Sequence, residues 1–188
     1  FLRPYGFYEN HENEYPLNLP GKDVSLGAED FLLRITTQIT LASAHIINKS
    51  LIKDINANDY CGTNLVQVNL ILDAVTRSKS CFYFKKYIIA IQKNNSGGYD
   101  LYDIFINKFS SILKSYVDKK LITNKLKKKI ECKKIKCFFP SYIFRSMYYL
   151  KEDRSNIETK FKILHKYKCY KFFIKPLFKL PYPSALIW

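Results

Sequence analysis

The sequence predicts an all-α protein: about four stacked, repeat-like helical hairpins at residues 28–174, between extended arms at residues 1–27 and 175–188. Three observations predict it. Apolar residues recur three and four apart from Phe31 to Leu164, which repeatedly lines up one face of a helix. Leucine-led segments of similar order return along the chain, as in stacked helical hairpins. Both ends hold clustered prolines and show no amphipathic period.

Taken in order, "FLRPYGFYENHENEYPLNLPGKDV" carries three prolines, two glycines and several acids, and predicts an extended arm that orders only against a surface. Phe31, Ile35, Ile39, Ala42 and Ile46 then share one helical face. Asn48-Lys49-Ser50 interrupts before a short second helix at Leu51 and Ile55. Leu65, Val68, Leu72 and Val75 predict the next helix, and Phe82, Lys86 and Ile89 its partner after a break at residues 78–80. By propensity "CFYFKKYIIAI" also passes as strand, but it lacks alternation. "KNNSGG", residues 93–98, is the clearest loop.

Beyond that loop, Leu101, Ile104, Phe105, Ile112 and Tyr116 mark a long helix, and Ile122, Leu126 and Ile130 a shorter one that ends at Pro140. The last pair comprises Ile143, Met147 and Leu150, then Ile157, Phe161 and Leu164, with Ser155 and Glu158 spaced as a capping box. "KPLFKLPYPSALIW" closes the chain with three prolines, which predicts an extended apolar tail.

The 188 residues suffice for one ordinary core, and 47% of them are hydrophobic. Charge is segregated. Residues 1–118 hold 12 Lys plus Arg against 12 Asp plus Glu, whereas residues 119–188 hold 19 against 4, so the whole net charge of +15 lies in the second part. The 14 Phe and 15 Tyr, with abundant Ile, Lys and Asn, are what AT-rich codons produce, but codon bias would not stop at Asp118. A one-sided positive field attracts polyanions. Apolar runs such as Tyr87–Ile91 fall far short of the roughly 20 residues that a spanning helix needs, so no transmembrane span is expected. The first residue, Phe1, fits a processed chain or a fragment, including removal of a targeting peptide.

"TLASAHIINKSLIKDI", "ILDAVTRSKSCFYFKKYI" and "ILKSYVDKKLITNKLKKKI" share one order, and their leucines Leu41, Leu72 and Leu113 are 31 and 41 residues apart. The stretch "LVQVNLILDAVTRSKSCFYFKKYIIAI" resembles one unit of the heptatricopeptide or octotricopeptide helical repeats of organellar RNA-binding proteins, in which an apolar-x-Ala helix precedes a polar link and an aromatic-led helix. The resemblance covers residues 28–131 and thins over 141–168, and the nuclease-like module that often accompanies such repeats is not recognisable. It implies RNA binding in a mitochondrion or plastid, including as a component of an organellar ribosome.

No residue pattern points to catalysis. His11, His45 and His165 lie far apart, Ser43-Ala44-His45 with Asp54 makes no local nucleophile arrangement, and Gly97-Gly98 lacks the Lys and Ser or Thr of a phosphate loop. No cofactor is expected. Cys61, Cys81, Cys132, Cys137 and Cys169 are odd in number and form no CxxC pair; a zinc site at Cys132 and Cys137 near His165 is the alternative to free structural thiols.

The lysine tract remains, with nine lysines from Lys119 to Lys136 and more beyond, interleaved with aromatic rings. Lysines neutralise phosphates and exposed rings stack on unpaired bases. The expected RNA contacts are Lys120, Lys127, Lys128, Lys129, Lys133, Lys134, Lys136, Arg145, Arg154, Lys160, Lys162, Lys166, Lys168 and Lys171, with Tyr167 and Tyr170. The function expected is a non-catalytic, RNA-binding structural protein of an organellar ribonucleoprotein, foremost a mitochondrial ribosome and alternatively a plastid one. Both arms would then hold neighbouring proteins. The alternative is a structural accessory subunit of a respiratory or other complex without RNA contact.

Overall fold

A computed structural model describes residues 1–16, 21–93 and 100–181. Among the described residues the protein is mostly helical, with two small sheets, and it divides into two compact units, Phe1–Ile104 and Phe105–Trp188, where a single body over residues 28–174 was expected. The charge follows this division. Phe1–Ile104 holds 10 Lys plus Arg against 11 Asp plus Glu, and Phe105–Trp188 holds 21 against 5.

In the first unit, α1 (Ala28–Ile35) buries Phe31, Leu32 and Ile35 as the spacing predicts, but it ends there. Thr36 leaves the helix at φ 40°, and the stretch Thr36-Thr37-Gln38-Ile39-Thr40, β-branched at every position but Gln38, continues only as a 3-10 turn. Ile46 is 76% exposed, and residues 49–54 form a 3-10 turn and further turns instead of the expected short helix. The second helix, α2 (Val66–Arg77), forms where predicted, with Leu65, Val68, Leu72 and Val75 all buried.

The helix expected after residue 80 is instead a pair of strands. Strand β3 (Cys81–Tyr83) runs antiparallel to β2 (Val24–Leu26), and β4 (Tyr87–Gln92) runs parallel to β1 (Arg3–Phe7). The stretch resembling a helical repeat is therefore one helix followed by strands. Along β4, burial alternates residue by residue although nearly every side chain is apolar, which is why hydropathy alone hid the period.

The N-terminal arm thus orders on the chain itself. Its turn is closed by Glu14, whose carboxylate accepts from the backbone N–H groups of Tyr8, Glu9 and Asn10 at 2.8–3.2 Å; these bonds hold its pKa below the usual glutamate value. Arg3 stacks over the Tyr87 ring at 4.2 Å, and the Tyr15 hydroxyl donates to the Tyr87 carbonyl at 2.9 Å. The expectation that this arm waits for a neighbouring protein is corrected by these contacts. The predicted loop at residues 93–98 lies outside the described residues apart from Lys93.

Helical backbone runs from Leu101 through π-helical turns at Asp103–Lys108 into α3 (Phe109–Asp118), as the long apolar period predicts. In the second unit α4 (Asn124–Cys137) follows and stops short of Pro140, which does not terminate it. Phe138 separates it from α5 (Phe139–Tyr148), and Pro140 sits in the first turn of α5, where a missing N–H costs nothing. Helix α6 (Arg154–Phe161) is capped by Asp153, which accepts from Asn156 N–H at 2.8 Å; Ser155 donates to Asp153, so the N-cap lies two residues before the predicted one and the Ser155–Glu158 capping box is not formed there.

A further helix, α7 (Lys168–Phe173), closes the expected helical stretch, and a 3-10 turn at Lys175–Phe178 stands where an extended tail was expected to begin. Leu177 and Phe178 are buried, and the Tyr148 hydroxyl donates to the Leu180 carbonyl at 3.1 Å, so this part of the tail also packs on its own unit. Residues 182–188 lie outside the described residues. The core of this unit gathers Phe109, Leu113, Ile130, Ile135, Phe139, Phe161 and Ile174.

Candidate nucleic-acid interface

Helix α4 sets the geometry of the basic surface. Thr123 starts it, its hydroxyl accepting from Leu126 N–H at 3.0 Å. Leu126 and Ile130 then anchor one face in the core, which turns most of the intervening lysines outward. Thr123→Ala should remove the cap and lower stability by about 1 kcal/mol. In urea melts the midpoint should fall while the slope stays unchanged.

Lys134 breaks the pattern. It follows Leu126 and Ile130 at the same spacing of four and is fully buried with Glu131. Its ammonium lies 2.7 Å from Glu131 Oε2 and donates to the Phe105 carbonyl at 2.8 Å and to Ser110 Oγ at 3.2 Å, above the Phe109 ring at 4.8 Å. This short contact to the ammonium is the charge pairing that holds the Glu131 carboxylate, whose oxygens have no other partner among the described residues. Burial pulls the Lys134 pKa below its ordinary value, against the upward pull of Glu131. Lys134 is a core residue and is withdrawn from the expected RNA contacts.

Tyr170 is withdrawn for the same reason. It is 2% exposed, its hydroxyl has no hydrogen-bond partner among the described residues, and its ring packs on His165 at 4.4 Å between centroids. Burial pushes its hydroxyl up to about 12. Both placements carried a signal in the sequence, since Lys134 falls on the Leu126 and Ile130 stripe, and Tyr170, Ile174 and Leu177 are spaced as a buried face.

Five expected residues do come together. Lys127 and Lys128 on α4 face Lys166, Tyr167 and Lys168, the turn that leads into α7, across a groove of about 640 Å³ completed by Asn124 and Cys132. Among the described residues no Asp or Glu lines it. Tyr167 is half-buried at its wall, with Lys166 Nζ 5.5 Å from its ring centre. Its hydroxyl is pushed up to about 12, chiefly by burial and then by the negative charge of Glu131, so the ring stays neutral. The groove can therefore take backbone phosphates on four ammonium groups and a flat ring against Tyr167.

The other expected residues lie outside that lining. Arg154 braces the unit, its guanidinium donating to the Phe178 carbonyl at 3.2 Å and to the Tyr148 hydroxyl at 3.1 Å. Lys136 sits 5.6 Å from the Phe173 ring centre. Lys171 lines a separate concavity of about 90 Å³ with Glu158, His165, Tyr170 and Lys175. Lys120, Lys129, Arg145 and Lys162 are exposed, and Lys133 and Lys160 are half-buried.

Sequence reasoning missed Asn124 and the pairing of Cys132 with Cys169, whose sulfurs approach to 2.9 Å across 37 residues of chain. Cys137 is exposed and shares no cluster with them, and among the described residues no three His, Cys, Asp or Glu side chains gather as metal ligands. In the first unit, a concavity of about 470 Å³ is lined mostly by apolar side chains, including Phe31, Ile71 and Val75. His45 at its edge is pushed down to about 4 by burial and is neutral at physiological pH. It lies in extended backbone instead of the predicted helix. No helix among the described residues is long and apolar enough to cross a membrane. Comparison with protein-family models, with curated proteins and with solved structures gives no match.

Proposed function

We propose that this chain is a non-catalytic structural protein that binds single-stranded RNA within a large ribonucleoprotein, foremost an organellar ribosome. The observation that carries the reading is the groove between α4 and the start of α7, where Lys127, Lys128, Lys166 and Lys168 surround Tyr167 with no carboxylate among the described lining residues. Four ammonium groups match the spacing freedom of a flexible phosphate backbone, and a half-buried tyrosine offers a stacking face to an unpaired base. A duplex hides its base faces and makes no use of Tyr167.

Membership of an assembly is supported by large exposed apolar side chains in the same unit, including Leu150 at 55%, Ile163 at 53% and Phe172 at 66%. The mitochondrial address, or a plastid one, rests on the order of residues 65–91 in the sequence alone, because strands β3 and β4 stand where the second helix of a repeat unit would be. The net charge of +15, concentrated in the unit that holds the groove, supports long-range attraction to RNA.

The test is sedimentation of the native assembly with and without ribonuclease, beside titration of the purified chain with fluorescent oligo(U). The expected result is a fast-sedimenting particle that collapses on ribonuclease treatment, and oligo(U) binding that weakens steeply with salt. An assembly indifferent to ribonuclease, together with no oligo(U) binding, would replace this reading with an accessory subunit that meets acidic protein surfaces.

A further inference from the structure

We infer that Cys132 and Cys169 form a reversible thiol–disulfide site, closed by a peroxide or a disulfide oxidant, that staples α4 to the start of α7 beside the lysine groove. The two sulfurs lie 2.9 Å apart, with the Cys169 thiol donating to the Cys132 sulfur, so closure needs only a small local movement. α4 and α7 pack against each other, and that packing holds the two thiols together. The other cysteines have no such neighbour: Cys61 and Cys137 are exposed singly, and Cys81 lies in the first unit.

The two thiols differ in access, which assigns their order of reaction. Cys132 is part-exposed in the groove wall, while Cys169 is buried. Burial and the adjacent sulfur push the Cys169 thiol up to about 12, so it stays protonated and acts second. With a peroxide, the Cys132 thiolate displaces hydroxide from hydrogen peroxide to give a sulfenic acid. The Cys169 sulfur then attacks that sulfur, and its proton leaves with the displaced hydroxide as water. With a disulfide oxidant, Cys132 forms a mixed disulfide and releases one thiol, and Cys169 releases the second. Either route removes two electrons and two protons from the pair.

Closure bears on the groove because Cys169 directly follows Lys168, and Cys132 lies one turn beyond Lys128 on α4. The bond fixes the Lys166-Tyr167-Lys168 turn against Lys127 and Lys128. Preorganising the two walls should tighten binding of a single strand, a consequence that rests on the proposed RNA reading.

The experiment treats the full chain with oxidised glutathione or equimolar hydrogen peroxide, alkylates free thiols and maps peptides by mass spectrometry. The expected result is a Cys132–Cys169 cross-link reversed by dithiothreitol, with Cys61, Cys81 and Cys137 still alkylated. The melting temperature should rise by roughly 5–10 °C in the oxidised form. Cys132→Ser should abolish both the cross-link and the shift with an unchanged circular dichroism spectrum. Alkylation of both Cys132 and Cys169 after oxidation, or cross-links scattered among all five thiols, would overturn the site. Oligo(U) affinity should rise about 3–10-fold on oxidation of the wild type and stay constant in Cys132→Ser. A cross-link without a change in affinity overturns the coupling to the groove. Absence of oligo(U) binding in both redox states overturns the RNA reading and leaves the cross-link result standing by itself.

Discussion

Lys134→Met should destabilise the protein by roughly 3–5 kcal/mol, because it leaves the fully buried Glu131 carboxylate without its cation. The same change strips the donor from the Phe105 carbonyl and Ser110 Oγ, two acceptors that α3 and the turn before it direct at the ammonium. For a chain of this length the loss corresponds to a melting temperature lower by roughly 10 °C. Adding Glu131→Gln removes the stranded charge, so the double variant should recover at least about 2 kcal/mol relative to Lys134→Met. A cost below about 1 kcal/mol for Lys134→Met would show that the ammonium is solvated and not buried.

The same pair has a pH signature. The Lys134 pKa lies below its ordinary value of 10.5, with burial as the main cause. Between the folded-state and unfolded-state values, the unfolded chain binds more protons than the folded one, so stability rises with pH across that window. Wild-type stability minus that of Lys134→Met should therefore increase as the pH climbs from neutrality toward 10.5. Taking the difference cancels the titration of the tyrosines that both proteins share. A difference that falls over this range would mean that the folded state raises the lysine pKa instead.

The second large effect is on RNA. Replacing Lys127, Lys128, Lys166 and Lys168 with glutamine should lower oligo(U) affinity by roughly 100–1,000-fold at 0.1 M salt. The slope of log affinity against log salt should flatten by about 3, because each phosphate contact on a single strand contributes about 0.7. Tyr167→Ala should weaken binding by about 1–3 kcal/mol without changing the slope, since a stacked base carries no counterion release. Tyr167→Phe should bind like wild type. None of the four lysines is buried, so helicity and melting temperature should stay close to wild type. A quadruple variant that keeps both its affinity and its salt slope would reduce the lysine tract to a solvated face.

Withdrawing Lys134 and Tyr170 changes the proposed interface from a linear tract into two short walls. Counting positive residues along the chain treats Lys134 like Lys133, but only one of them points into the core. The distinction follows from helix periodicity, and the stripe Leu126, Ile130 and Lys134 already contained it. Arg154 shows the same ambiguity in another form, because its guanidinium satisfies backbone and hydroxyl acceptors within its own unit.

The helices α2 to α6 were legible because their apolar spacing reflects contacts within a few turns of the same segment. Leu72 and Leu113 fall on buried stripes as their neighbours predict. The strands were not legible. Strand β4 takes its partner from Arg3–Phe7, more than 80 residues earlier, and β3 takes its partner from Val24–Leu26. Hydrogen bonds between distant segments leave no local period when both faces of a strand are apolar. The segregation of charge is a property of sequence order alone, and it placed the basic surface in the right unit. The groove itself is a tertiary product, because Lys127 and Lys128 meet Lys166, Tyr167 and Lys168 only once α7 packs on α4. That packing also brings Cys169 to Cys132, and the burial it imposes on Lys134 and Tyr170 divides the chain's lysines and tyrosines into those that face solvent and those that hold the core.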